Sequence, residues 1–183
     1  MTMTESISTN YTRTAVALHW LVGALVVTAF TIGLIMADMH TSPTKVELFN
    51  WHKWIGITVL ALFFVRVLWR LTHRAPALLP MAAWQTYTAQ AAHGLLYAML
   101  LVQPLTGWLY SSAAGHSVVY LGLVRLPDLV HKNPALASSL KEVHETCAWI
   151  LAVIVGLHVL GALKHHYVDR DDTLRRMLRW RAG

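Results

Sequence analysis

The chain has 183 residues, 56% of them hydrophobic and 13% charged, with a mean hydropathy of +0.47 and a formal net charge of +6. Soluble domains usually carry about a quarter charged residues, so this composition excludes an ordinary soluble domain and implies one compact membrane domain over residues 1–183. A single cysteine, Cys147, excludes an internal disulfide and any cysteine-rich zinc or iron–sulfur site, and no C-x-x-C-H motif is present.

Four stretches are long and apolar enough to span a bilayer, which takes roughly 20 residues. The first, about 14–38, follows Arg13; it is too long for the apolar core of a secretory signal and has no A-x-A-like site before Asp38, so it is expected to remain as a helix. A loop broken by Pro43 leads to the second span, about 51–72. The segment THRAPALLPMAAWQ, with Pro76 and Pro80, leads to the third, about 88–112. A longer connection, SSAAGHSVVYLGLVRLPDLVHKNPALASS, is apolar for an exposed loop and is expected to hold a short helix along the membrane surface. The fourth span, about 142–164, is followed by the basic tail RDDTLRRMLRWRAG. No repeat or second domain is visible. The expected fold is all-α, an integral membrane four-helix bundle.

An even number of spans puts both termini on one side. That side would hold Arg13, Arg66, Arg70, Arg74, Lys164, Arg170, Arg175, Arg176, Arg179 and Arg181, against Lys45, Lys53, Arg125, Lys132 and Lys141 on the other. The excess predicts cytoplasmic termini. The same rule accounts for the basic tail as topology and attraction to anionic lipid, which argues against nucleic acid as a partner.

Orientation gives each membrane histidine a depth. His19, His93 and His158 fall in one layer, toward the termini; His52 and His144 fall in the other. His144 and His158 are fourteen residues apart, within about 40° of four full turns, so they share one face of the fourth helix about 21 Å apart. Ala148, Leu151 and Val155 lie between them on that face, a lining that suits a flat apolar ligand or plain helix packing. A lone membrane histidine is more often a helix–helix hydrogen bond than a ligand, but ionisable groups inside a span are costly and mark function. Two on one face, each with a partner at matching depth, point to two metal centres with imidazole at both axial positions, as in bis-histidine haem.

Zinc or another divalent ion fits less well, because structural zinc takes four close ligands and a transport path needs carboxylates, of which these spans are nearly free apart from Glu145 at a helix end. HETCA also lacks the second histidine of H-E-x-x-H. A proton relay does not explain two layers of facing pairs. In the layer nearer the termini, His19 and His93 both remain candidates to face His158.

Several fragments in order carry a resemblance across nearly the whole chain. They are Tyr11-x-Arg13 with Leu18-His19-Trp20-Leu21, Trp51-His52-Lys53-x-x-Gly56, Arg66-x-x-x-Arg70, Ala92-His93-x-x-x-Tyr97, Pro104-x-x-Gly107, His144-Glu145, Gly156-Leu157-His158 and Lys164-His165-His166-Tyr167. In these the sequence resembles the bacterial cytochrome b561 family. The resemblance implies a multi-pass inner-membrane bundle with two non-covalent b-type haems. It implies His19 and His158 as ligands on the cytoplasmic side and His52 and His144 on the periplasmic side. His93 is left as a polar residue at a quinone site or bonded to a haem group.

Haem propionates need cationic partners, for which Arg66 and Arg70 on one side and Lys53 on the other are candidates, with snorkelling to lipid headgroups as the alternative for the arginines. Gly56 and Gly23, each four residues after a histidine, would let a macrocycle approach the backbone, or serve helix contact. The expected activity is electron transfer across the membrane. The resemblance implies membrane quinone as one partner and superoxide as a donor, a superoxide:quinone oxidoreductase, with Lys53, Lys132, Lys141 and Arg125 attracting the anion. The alternative is an electron-relay or anchor subunit for a separate dehydrogenase or periplasmic redox protein. Small residues on the helix surfaces permit a homodimer.

Overall fold

The computed structural model describes residues 10–73 and 75–178. Arg74, Arg179 and Arg181, counted above for orientation, lie outside the described residues. Four long helices dominate: α1 (Arg13–Asp38), α2 (Pro43–Thr72), α3 (Ala83–Ala113) and α4 (Pro134–Lys164). A two-stranded antiparallel hairpin, β1 (Val119–Tyr120) and β2 (Val124–Arg125), joins α3 to α4. After α4 comes one π-helical turn, His165–Asp169, and a short α5 (Arg175–Leu178).

Local chemistry explains where the helices begin, and it differs from expectation. Pro43 does not break the chain but starts α2: it occupies the first turn, where its missing N–H is no loss, and Ser42 Oγ accepts from Lys45 N at 3.2 Å. Asn133 and Pro134 repeat the device on α4, with Asn133 Oδ1 accepting from Leu136 N at 3.1 Å. Thr12 caps α1, and Gln85 Oε1 receives the Ala82 N–H at the start of α3. Three helices therefore start several residues before the apolar runs that announced them. His52 and His144 do not open α2 and α4, as expected, but lie well inside them.

The connection 114–133 is also not the expected surface helix. Gly115 (φ 80°), Leu121 (φ 52°) and Gly122 (φ 73°) adopt left-handed conformations, and the consecutive pair Leu121-Gly122 makes the tight turn between β1 and β2. Three hydrogen bonds tie this hairpin to α2: Lys53 Nζ to His116 O at 3.1 Å, Trp54 Nε1 to Val119 O at 2.7 Å, and Thr58 Oγ1 with Tyr120 Oη at 2.9 Å.

Packing runs α1 against α2, α2 against α3 and α3 against α4. The largest buried cluster, Val22, Val59, Phe63 and Leu100, lies where the first three helices meet, with Leu25, Ile55 and Tyr97 around it. Few apolar side chains are fully buried. Val27, Phe64, Leu68, Val153, Leu157 and Leu160 face outward from α1, α2 and α4, a surface that suits lipid rather than water. α1, α2 and the segment Pro134–Asp169 are each long and apolar enough to cross a membrane. α3, at 31 residues, has the length, but Gln85, Gln90, His93, Gln103 and Thr106 dilute its hydropathy.

The end that carries the described terminal residues is laced shut. Trp20 Nε1 donates to Met177 O at 2.7 Å, Arg176 Nη1 to Ala77 O at 2.9 Å, and Trp69 Nε1 to Thr12 Oγ1 at 3.0 Å. His165 Nδ1 meets Asp171 at 2.7 Å, and Thr173 N donates to the same carboxylate at 2.8 Å. Partial burial pushes the Asp171 carboxyl up, but the Thr173 and His165 hydrogen bonds outweigh it and hold the group below the usual carboxylate range.

Candidate functional site

Five histidines gather in two layers. In the layer away from the termini, His52 of α2 and His144 of α4 face each other with ring centroids 6.0 Å apart and planes at 85°. In the layer toward the termini, His19 of α1 faces His158 of α4 at 6.1 Å and 62°. His93 of α3 also meets His158, at 5.2 Å and 80°. α4 is continuous from Pro134 to Lys164, so His144 and His158 do leave one helix fourteen residues apart. Between them Leu151 is buried, and Phe30 of α1 meets Trp149 of α4 edge-on at 5.4 Å.

The ring separations bear on what could lie between them. A metal ion bonded to two imidazole nitrogens at about 2 Å each puts the ring centroids roughly 6 Å apart. Both facing pairs have that spacing, whereas His93 and His158 are closer. The donor set is imidazole on both sides, which suits haem iron better than zinc or magnesium.

Hydrogen bonds to the rings in the second layer set the tautomers. His52 Nδ1–H donates to Ala29 O at 2.9 Å, which leaves Nε2 with its lone pair. The Thr106 hydroxyl gives its proton to Gln103 O at 2.9 Å, so its oxygen accepts from His144 Nδ1–H at 3.1 Å. Gln103 Nε2 donates to His144 O at 3.2 Å and lies 3.4 Å from His144 Nε2, again consistent with an unprotonated Nε2. Both rings therefore offer the nitrogen that a metal uses, each oriented through its other nitrogen. Gln103 Oε1 is buried and has no hydrogen-bond partner among the described residues. Two glycines make room for these rings: Gly33 on α1 beside His52 and Gly107 on α3 beside His144.

The layer nearer the termini is arranged differently. Arg66 Nη2 lies 3.3 Å from His19 Nδ1, and because a guanidinium only donates, that nitrogen must accept. A neutral His19 then carries its proton on Nε2. Arg66 also donates through Nε to Tyr97 Oη at 3.1 Å and lies over the Tyr97 ring. Metal binding through His19 Nε2 requires Arg66 to turn away. A cleft lined by Tyr11, Leu18, Arg66, Trp69, Arg70 and Tyr97 includes the arginine that meets His19, though not His19 itself, and brings both arginines together for an anionic group. His93 Nδ1–H donates to Ala89 O on its own helix at 2.6 Å, and its side chain is largely exposed.

The remaining candidates are distributed as follows. Lys53 is occupied in bonding His116 O and holds the hairpin. Gly23 and Gly56 face open space. Sequence reasoning missed Ala29, Gln103 and Thr106 as partners of the His52 and His144 rings. For the last two a signal existed: they bracket Pro104 in the quoted Pro104-x-x-Gly107 fragment.

Comparison with known proteins bears on this arrangement. A family model described as prokaryotic cytochrome b561 matches residues 10–180. Cytochrome b561 homolog 2 of Escherichia coli (strain K12) is 35% identical over 177 residues, covering 92% of this chain and 91% of that protein. The probable superoxide oxidase CybB of Yersinia pestis is 30% identical over 179 residues, covering 95% and 98%. Cytochrome b561 homolog 1 of Escherichia coli (strain K12) is 30% identical over 177 residues, covering 92% and 97%.

Proposed function

The chain belongs to the prokaryotic cytochrome b561 family, and from that premise we propose that it holds two b-type haems, each between two histidines, and carries electrons across the bacterial inner membrane between superoxide and quinone. The family places it among membrane-embedded, haem b-binding electron-transfer proteins. The observation that carries the two-haem reading is the pair of imidazole pairs, 6.0 and 6.1 Å between centroids, fourteen residues apart on α4.

In this reading α3 is the fourth span and both termini are cytoplasmic. His52 and His144 hold the periplasmic-side haem and His19 and His158 the cytoplasmic-side one. Arg66 and Arg70, in the cleft beside His19, pair with propionates there, while Lys53 stands next to His52. When bound, each haem would supply reversible one-electron chemistry, with His52 and His144 holding one and His19 and His158 the other. The protein's part is to fix ring orientation through Ala29 O and Thr106 Oγ1 and to enclose the sites in apolar helix faces. Two superoxide anions each lose one electron to become dioxygen; those electrons and two protons convert one quinone to quinol.

Two measurements test the proposal. Haem-replete protein should contain two haems per chain, with a reduced-minus-oxidised spectrum of b type. Mixing it rapidly with superoxide should then reduce the haem bands well above background, and quinone should reoxidise them. One haem per chain would overturn the bis-histidine pairing. Failure of superoxide alone would leave a relay or anchor for a separate dehydrogenase or periplasmic redox protein. One observation favours that relay: Arg125 pairs with Asp128, Lys141 with Glu145, and Lys53 with a carbonyl, so much of the periplasmic-side cationic charge is already engaged.

A further inference from the structure

We propose that the β1–β2 hairpin is a membrane wedge, its tip of Leu121, Leu123 and Val124 inserted among phospholipid acyl chains of the leaflet away from the termini. The proposal rests on the reading of α2 as a membrane span.

The contacts with α2 set the direction of the hairpin. As the chain runs from His116 through Val119 to Tyr120, its partners on α2 run from Lys53 through Trp54 to Thr58. Each step moves toward the terminal end of α2. The strand therefore lies against α2 with the Tyr120 side chain directed toward the bilayer interior, and the turn follows it directly. Trp51 and Trp69, eighteen residues apart on α2, are separated by about 27 Å, close to the thickness of a hydrocarbon core, and tryptophan favours the two interfaces. Thr58 lies seven residues inside Trp51, about 10 Å deeper. The Tyr120 hydroxyl reaches that depth.

The turn itself has the wrong chemistry for water. Two successive positive φ values in a turn favour Asn-Gly or Gly-Gly, yet the three-residue connection here opens with Leu121-Gly122, with Leu121 at φ 52°. Its neighbours are no more polar. Leu121, Leu123 and Val124 are 53%, 83% and 56% exposed, so the chain's own fold does not cover them. A bulky apolar residue strained into the left-handed region and left uncovered is accounted for when its surroundings are lipid. The backbone at the tip is suited to that setting too. Gly122 N bonds Val119 O at 3.3 Å and Leu123 N bonds Tyr120 O at 3.0 Å, so these amides are not left unpaired in hydrocarbon. At the base, Ser117 donates to Asp128 at 2.8 Å and Arg125 donates to Ser117 at 2.9 Å, a polar cluster at the headgroup level.

The test is a nitroxide label at Leu123→Cys in a Cys147→Ser background, with haem-loaded full-length protein in phospholipid nanodiscs. Labels at Phe64→Cys, on the outward face of α2, and His131→Cys, beyond the hairpin, serve as references. Collision rates with oxygen, which concentrates in lipid, and with a water-soluble nickel chelate are compared. The expected oxygen-to-nickel ratio at position 123 is at least five-fold above that at 131 and close to that at 64. A ratio at 123 equal to that at 131, with 64 lipid-like, would overturn the wedge and leave the span intact. Low collision rates with both reagents would also overturn it, because protein and not lipid would then cover the tip. A water-like ratio at 64 would instead overturn the reading of α2 as a span.

Discussion

Gly107 on α3 stands so close to the His144 ring that a methyl group on its Cα would lie 2.9 Å from Cε1 and 3.2 Å from Nδ1. The ring has little freedom to retreat, since Thr106 holds Nδ1 and His52 faces it. Gly107→Ala should therefore displace His144 at a cost of about 1–3 kcal/mol, the usual range for overpacking. The expected result is haem content falling from two toward one per chain, measured by haemochrome assay against protein concentration. Gly33→Ala is the matched control. Its Cβ would meet His52 Cε1 at 3.4 Å, a tolerable contact, and haem content should hold.

Removing a ligand tests the layers separately. His144→Ala should abolish the haem between α2 and α4 and leave the bands of the other, and His158→Ala should do the reverse. Loss of both haems from either variant, with the helical circular dichroism retained, would show that the two centres do not load independently.

Thr106 acts on His144 through the ring's Nδ1. Accepting the Nδ1–H makes the imidazole a stronger donor, which favours the oxidised metal. Thr106→Val removes the acceptor at nearly constant shape. Its expected effect is a rise in one of the two midpoint potentials, on the order of 40 mV for a hydrogen bond worth about 1 kcal/mol. Thr106→Ser should restore the potential; a redox titration in which Val and Ser variants agree would remove this role from the residue.

How much of this was legible in the sequence follows from what spacing can carry. Fourteen residues fix two histidines on one face of α4 whatever surrounds it, so His144 and His158 could be read directly. The partners needed relative helix positions, and depth alone left His19 and His93 both facing His158, as the three rings indeed do. Ala29 was out of reach, and Gln103 and Thr106 were marked only by the fragment around Pro104, because their roles depend on the axial register of α1 and α3 against their neighbours. Helix starts were misjudged for a local reason: hydropathy marks where a helix enters lipid, while Ser42-Pro43 and Asn133-Pro134 mark where the helix begins. The hairpin was hidden because an apolar loop reads as an amphipathic helix unless positive φ at Leu121 is known.

Asp171 gives the C-terminal turn a defined acid limit. Its carboxyl is depressed in the folded chain by the Thr173 and His165 hydrogen bonds, despite the opposing effect of burial. A depressed carboxyl stabilises the fold fully above its unfolded pKa of about 3.9 and loses that contribution as pH falls through the lower folded value. Amide exchange in residues 165–178 should therefore be slow and pH-corrected rates constant near neutrality, then rise in acid. Asp171→Asn should show the faster exchange even at neutral pH.

Arg66 makes the two proposed haem sites unequal before anything binds. It donates to His19 Nδ1, which places the proton of a neutral ring on Nε2, whereas His52 and His144 carry theirs on Nδ1 and leave Nε2 unprotonated, with the Gln103 amide 3.4 Å from that of His144. Haem titrated into the empty protein should fill the His52–His144 site first, because there only the neutral Gln103 amide turns aside, whereas the other site must release a charged Arg66 and move a ring proton. Once released, the guanidinium is free to pair with a propionate beside Arg70. Arg66→Met removes both effects, so loading of the His19–His158 site should become faster while its haem escapes to a scavenging apoprotein at least ten-fold faster, matching a charge-assisted hydrogen bond of about 1.5–3 kcal/mol. Both changes should be confined to one haem. Unchanged loading and unchanged escape would mean that Arg66 contacts His19 without controlling it.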